Sequence, residues 1–126
     1  MKAATRDWLK KAESDWLAAL ALARRRKIPL HDQVCFHCQQ SAEKYLKARL
    51  EEAGIVSPKT HDLEKLLSVA IIVEPLWTVL RPALKRLTDY AVDFRYPGHE
   101  ATRQEAKTAI ADSRTVRREA RLALGV

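Results

Sequence analysis

Apolar residues recur along this chain at three- and four-residue intervals, and nowhere do they alternate in the two-residue rhythm of a strand. The pattern predicts helices from end to end. A first helix is expected over about Thr5 to Arg26, with Trp8, Leu9, Ala12, Trp16, Ala19, Leu20 and Ala23 facing inward. Pro29 marks a break, and a second helix starts near His31 or Asp32. On it Val34, Cys35, Cys38, Ala42, Tyr45, Leu46 and Leu50 form a core face, and Gly54 suits the position that ends it. Residues 55–59 read as a loop. Thr60 is the expected N-cap of a third, shorter helix carrying Leu63, Leu66, Leu67 and Ala70.

A fourth helix is predicted from Glu74-Pro75, burying Leu76, Trp77, Leu80, Leu84, Leu87 and Ala91, with a kink or split at Pro82. Asp93 to Gly98 interrupt the pattern. A last helix then runs from about Glu100 to Leu124, with Ala106, Ala109, Ile110, Ser113, Val116, Ala120 and Leu124 or its neighbours inward. Helices joined by short connections predict an all-α fold, an antiparallel up-and-down bundle of about five helices. At 126 residues, with no linker, repeat or low-complexity segment, one domain over 1–126 is expected.

Composition narrows the class. The chain is 47% hydrophobic and 31% charged, an ordinary balance for a globular protein with a core of its own. The longest apolar stretch, Trp16 to Ala23, is too short to span a bilayer, and the polar start lacks the apolar centre of a secretory signal. A cytoplasmic protein with no membrane association is expected. Cys35 and Cys38 sit three apart within a helical pattern and read as small apolar core residues. With no second cysteine pair and no βαβ pattern, neither a zinc site nor a redox pair is expected, and no cofactor. The formal charge of +7 and the pI near 9.7 favour an acidic partner, weakly, because Arg24 to Lys27 and Arg114 to Arg121 also suit solvated helix surfaces and ends.

Three polar groups stand out. Gln40, Glu43, Lys44 and Lys47 share a stripe on the second helix. Physics alone favours a solvated face with an i,i+4 Glu43–Lys47 pair contributing a few tenths of a kcal/mol. Thr60-His61-Asp62-Leu63 reads as a capped helix start that leaves His61 unexplained. Arg95-Tyr96-Pro97-Gly98 reads as a tight turn that leaves Arg95 unexplained.

The ordered set of Phe36 to Leu50, then Thr60-His61-Asp62-Leu63, then Arg95-Tyr96-Pro97 before the last helix resembles the HEPN (higher eukaryotes and prokaryotes nucleotide-binding) family over nearly the whole chain. The resemblance implies a helical bundle that commonly dimerises. It also implies frequent pairing with a minimal nucleotidyltransferase encoded alongside, often in toxin–antitoxin fashion. It carries a ligand-binding role onto Gln40, Glu43, Lys44, Lys47, His61, Asp62, Arg95 and Tyr96, with Pro97 matched in the turn. Lys44, Lys47 and Arg95 would contact phosphate and Tyr96 would stack on a base.

Ribonuclease members of that family carry an Arg, four to six residues, then a His near the last helix. Here only three residues separate Arg95 from His99. Arg24, Arg25 and Arg26 meet the spacing to His31, but at the first interhelical loop, and that match is read as coincidence. Three functions follow. The leading one is a module binding nucleotide or another phosphate ligand, in a homodimer and with a nucleotidyltransferase. The second is a metal-independent ribonuclease acting on RNA, with catalytic candidates Arg95, His99 and His61. The third is a ligand-free helical interaction domain.

Overall fold

The computed structural model describes residues 1–93 and 96–126. It is 74% helical, with five α-helices and, among the described residues, no strand. The helices are α1 (Ala3–Ala23), α2 (His31–Glu52), α3 (Leu63–Ala70), α4 (Arg81–Asp93) and α5 (Arg103–Leu124), with a 3₁₀ segment at Pro75–Leu80.

α2 lies at the centre, against each of the other four helices. Antiparallel pairing with α1 is fixed at one end and at the middle of the two helices. Thr5 Oγ1 donates to Glu52 Oε1 at 2.9 Å, and Ser41 Oγ donates to the Ala12 carbonyl at 3.0 Å. α5 runs in the same direction as α2. Its start is tied to the start of α2 where the Ala101 amide donates to Asp32 Oδ1 at 2.6 Å, and Ser113 Oγ reaches the Cys38 carbonyl at 3.2 Å. The four long helices therefore follow the up, down, up, down order of a bundle, with α3 and the 3₁₀ segment in the crossover from α2 to α4.

All seven residues predicted for the α2 core face are buried, as are Leu63, Leu66, Leu67 and Ala70 of α3. Tyr45, Leu46, Leu50, Leu84 and Leu87 are among the largest fully buried side chains of a core that draws on every helix. α2 ends as predicted. Gly54 has φ +71°, and the amides of Gly54 and Ile55 bond the carbonyls of Glu51 and Leu50 in a Schellman arrangement.

Several local expectations are corrected. α1 stops at Ala23, short of Arg26, and leaves Ala23 exposed. The next residues are four successive cations, and Ile28 precedes Pro29, which excludes it from the helical region; its φ is +52°. The N-cap of α3 is Asp62, whose carboxylate accepts from the amides of Glu64 (2.9 Å) and Lys65 (3.4 Å). Thr60 serves one step earlier, its hydroxyl accepting from the Asp62 amide at 3.0 Å.

The expected fourth helix is split. Pro82 sits in the first turn of α4, where a missing N–H costs nothing, and the residues before it form the 3₁₀ segment. With three residues per turn, Trp77 and Leu80 face the core while Leu76 and Val79 face out. Leu76 is 84% exposed rather than buried. The last helix begins at Arg103, not Glu100. Thr102 caps it in a reciprocal box with Glu105, both bonds 3.0 Å. Ala91 of the predicted core lies outside the described side chains.

Candidate functional site

The polar stripe of α2 is not a solvated face. Glu43 is only 4% exposed, and three groups converge on it. His61 Nδ1 lies 2.8 Å from Oε1, Lys47 Nζ 3.1 Å from Oε2, and Gln39 Nε2 3.4 Å from Oε1. Gln39 also donates to the His61 carbonyl at 3.3 Å and accepts from Gln40 Nε2 at 2.7 Å. A buried carboxylate needs these donors, since leaving it unpaired would cost several kcal/mol. The chain thus spends Gln40, Gln39 and Lys47 on holding Glu43 and, through it, His61.

His61 itself is 79% exposed. A carboxylate on Nδ1 makes that nitrogen the donor, so in the neutral ring Nε2 carries its lone pair toward solvent. Lys47 lies 5.5 Å from the centroid of the Trp8 ring as well, a cation–π contact that adds to its confinement. Lys44 points to the other flank and pairs with Asp15, which also accepts from His37 Nδ1 at 2.8 Å. Both lysines of the stripe are thus neutralised within the chain.

Asp62 is occupied in capping α3. Tyr96 and His99 are exposed, and the His99 amide donates to the Tyr96 carbonyl at 3.3 Å. Arg95 lies outside the described residues. The network joins Gln40, Glu43, Lys47 and His61; it does not include Lys44, Tyr96 or His99.

A second feature escaped the sequence reading. Where α1 ends and α5 begins, the surface folds into a groove of about 950 Å³. Arg24, Arg25, Arg26 and His31 form one side. Arg103, Lys107 and Arg114 of α5 form the other, with Ala106 and Ile110 between them. Among the described residues, no acidic side chain lines it. Arg24, Arg25, Arg26, Arg103 and Lys107 make no ion pair with a carboxylate among the described residues, and Arg114 rests on the Trp16 ring at 5.5 Å.

Six uncompensated cations in a concave site focus a positive potential. The start of α5, with its positive helix pole, adds to that field. The groove therefore favours a multiply charged anion. The sequence signal was available in the spacing of Arg103, Lys107 and Arg114, which lie four and seven residues apart on one helix face. The match of Arg24 to Arg26 with His31, read as coincidence, brings those residues to a common wall.

Among the described residues, no group of three His, Cys, Asp or Glu side chains is placed to hold a metal ion. None of the described helices is long and apolar enough to cross a membrane.

A helical bundle with a cationic groove, and with a buried network orienting a histidine, places the chain among small all-α helical modules. The HEPN domain model matches residues 5–122, and the chain belongs to the HEPN domain family. No curated protein and no solved structure matches it. Membership supports a nucleotide- or RNA-related role for this helical module.

Proposed function

We propose that this chain binds nucleotide or another phosphate ligand, and that the ligand's phosphates enter the groove between Arg24–Arg26 and Arg103–Arg114. The observation that carries this reading is the set of cations without carboxylate partners around one cavity. Lys44 and Lys47 of the α2 stripe already have acidic partners, so they have less to gain from an anion. Arginine suits the task because its planar fork meets phosphate oxygens two at a time. Glu43, Gln40 and Lys47 then serve as the support that positions His61, and the family resemblance assigns Tyr96 to a base and Arg95, outside the described residues, to a further phosphate.

Titration calorimetry with ATP and with pyrophosphate tests the reading. Both should bind, and the double charge reversal Arg25→Glu with Arg103→Glu should abolish the heat. Absence of heat at millimolar ligand with wild-type protein would sink it.

The family resemblance supports the finer proposal that the chain acts as a homodimer in the cytoplasm with a minimal nucleotidyltransferase, in a toxin–antitoxin-like pair. Co-expression with a nucleotidyltransferase from the neighbouring reading frame should give a complex that co-elutes on size exclusion. Separate elution would remove that part.

The ribonuclease reading draws on one observation, the Glu43–His61 pair with Nε2 open to solvent. A general base held by a carboxylate has this form. Labelled-RNA cleavage that is lost in both His61→Ala and Arg95→Ala would favour it. Cleavage unchanged in both would mark contamination.

A further inference from the structure

Six exposed cations line the groove in two rims, with Arg24, Arg25 and Arg26 on one side and Arg103, Lys107 and Arg114 on the other. The α5 rim lies on one helix face, and at 1.5 Å per residue its three members are spread over about 16 Å. The opposite three are consecutive residues just past the end of α1, so they too are strung out along the chain. The cations are thus offered along a line and not around a point. One terminal phosphate carries about two negative charges, which would leave most of the six cations unmet.

The rest of the lining is Ala23, Pro29, His31, Ala106 and Ile110. Among the described residues it holds no Phe, Tyr or Trp on which a base could stack, and no Asn, Gln, Asp, Glu, Ser or Thr to meet a base edge. Its ring is the His31 imidazole, on the rim of Arg24 to Arg26. An arginine can meet a guanine edge, but each one turned to a base is lost to phosphate. Tyr96, which the family resemblance gives to a base, is not part of this lining. Ala106 and Ile110 displace water between the rims, which strengthens the field an anion would feel there.

We infer that the groove takes a linear chain of condensed phosphates, at least as long as a triphosphate, and recognises the chain without the nucleoside. The inference rests on the groove being the anion site of the proposed function. It narrows the ligand to the phosphoanhydride run that ATP shares with inorganic polyphosphate. Such a chain carries negative charge on every phosphate and acceptor oxygens on both sides, so successive units meet donors of either rim. Arginine forks suit this repeat. In a nucleotide the run stops at the sugar and leaves part of the line empty. In inorganic polyphosphate it continues, which makes that the better ligand of the two.

Titration calorimetry in magnesium-free buffer ranks the ligands. Affinity should rise from pyrophosphate to tripolyphosphate by about fivefold, the upper range for one exposed ion pair, and rise again for a longer linear polyphosphate. ATP, GTP, CTP and UTP should agree within about threefold, and none should bind more tightly than tripolyphosphate, since no lining group serves a base alone. Arg26→Gln and Lys107→Gln, one exposed cation from each rim, should each weaken ATP and tripolyphosphate by the same factor, with unchanged helical circular dichroism. Tyr96→Ala and His31→Ala should leave the ratio of ATP to tripolyphosphate affinity as it is in wild type.

A nucleotide that outbinds tripolyphosphate would overturn the inference, as would a preference for one base, or a ratio that falls in Tyr96→Ala or His31→Ala. So would a longer polyphosphate that gains nothing over pyrophosphate. Equal binding of an oligoglutamate or an RNA strand of matched charge would overturn it too, by reducing the groove to a general anion patch. Absence of binding by ATP and pyrophosphate alike would instead strike the groove reading itself.

Discussion

Glu43 holds His61 from beneath: the carboxylate is buried, the imidazole is exposed, and 2.8 Å separates Oε1 from Nδ1. The two residues therefore differ sharply in what their loss should do. Glu43→Ala strips Lys47, Gln39 and His61 of a shared acceptor and should cost about 2–3 kcal/mol, in the range for hydrogen bonds to a charged, buried group. His61→Ala removes an exposed partner and should cost under about 1 kcal/mol. Urea denaturation of the two variants reads the difference, and equal losses would refute this hierarchy.

The pH limits of stability are set in part by a second pair. Arg117, donating two hydrogen bonds, holds the Glu13 carboxyl below its ordinary 4.5; burial opposes this and the Tyr45 hydroxyl assists. A carboxyl lowered on folding contributes stability above pH 4.5 that is lost as pH falls through the folded value. For Tyr45, burial first and the hydrogen bond to Glu13 second push the phenol from 10.0 up to about 12. Its contribution is complete below pH 10.0 and is lost as pH climbs toward 12. Denaturant midpoints should thus fall at both extremes. Glu13→Gln should flatten the acid limb and Tyr45→Phe the alkaline one; limbs unchanged in these variants would refute the assignment.

Cys35 and Cys38 should be inert while the chain is folded. Burial pushes the Cys35 thiol up to about 12, with the charges of Glu105 and Asp32 adding to it, and burial pushes Cys38 higher still. The reactive species is the thiolate, which is scarce under these conditions. A disulfide-exchange reagent at pH 8 should modify neither thiol in native protein and both in denaturant. Rapid native labelling would contradict the buried placement.

Ile28 offers a stabilising substitution. A β-branched residue at φ +52° in an exposed loop pays about 1–2 kcal/mol for the left-handed region. Ile28→Gly relieves that strain against a smaller loss in unfolded-chain entropy, so a gain of up to about 1 kcal/mol is expected. Thermal denaturation checks it, and a lower midpoint would show that the Ile28 side chain contributes more than it costs.

Core positions were legible wherever one helical period held. Val34 to Leu50 on α2 and Leu63 to Ala70 on α3 are all inward as read. Leu76 was misread because the residues before Pro82 adopt a three-residue period, which no apolar count distinguishes from 3.6 over so few positions. Glu43 was misread for a different reason. Polar residues three and four apart look like surface, and only the fold reveals that His61, eighteen residues on, returns to share the carboxylate. The groove was hidden because residues 24–31 and 103–114 meet only in three dimensions. Family membership, in contrast, was readable from ordered segments, since the Phe36–Leu50 run, Thr60 to Leu63 and Arg95 to Pro97 are each contiguous.

The contact between Glu13 and Arg117 spans 104 residues of chain. Contacts so distant reward the chain only after a long loop has closed, whereas α1 and α2 can meet across the few residues between them. Folding should accordingly begin with the α1–α2 hairpin, and α5 should dock late. Interactions made after the transition state govern escape from the native state more than entry into it. Weakening Glu13 should therefore shorten the native lifetime while leaving the refolding rate nearly unchanged, so that one surface carboxylate acts as a latch on the assembled bundle.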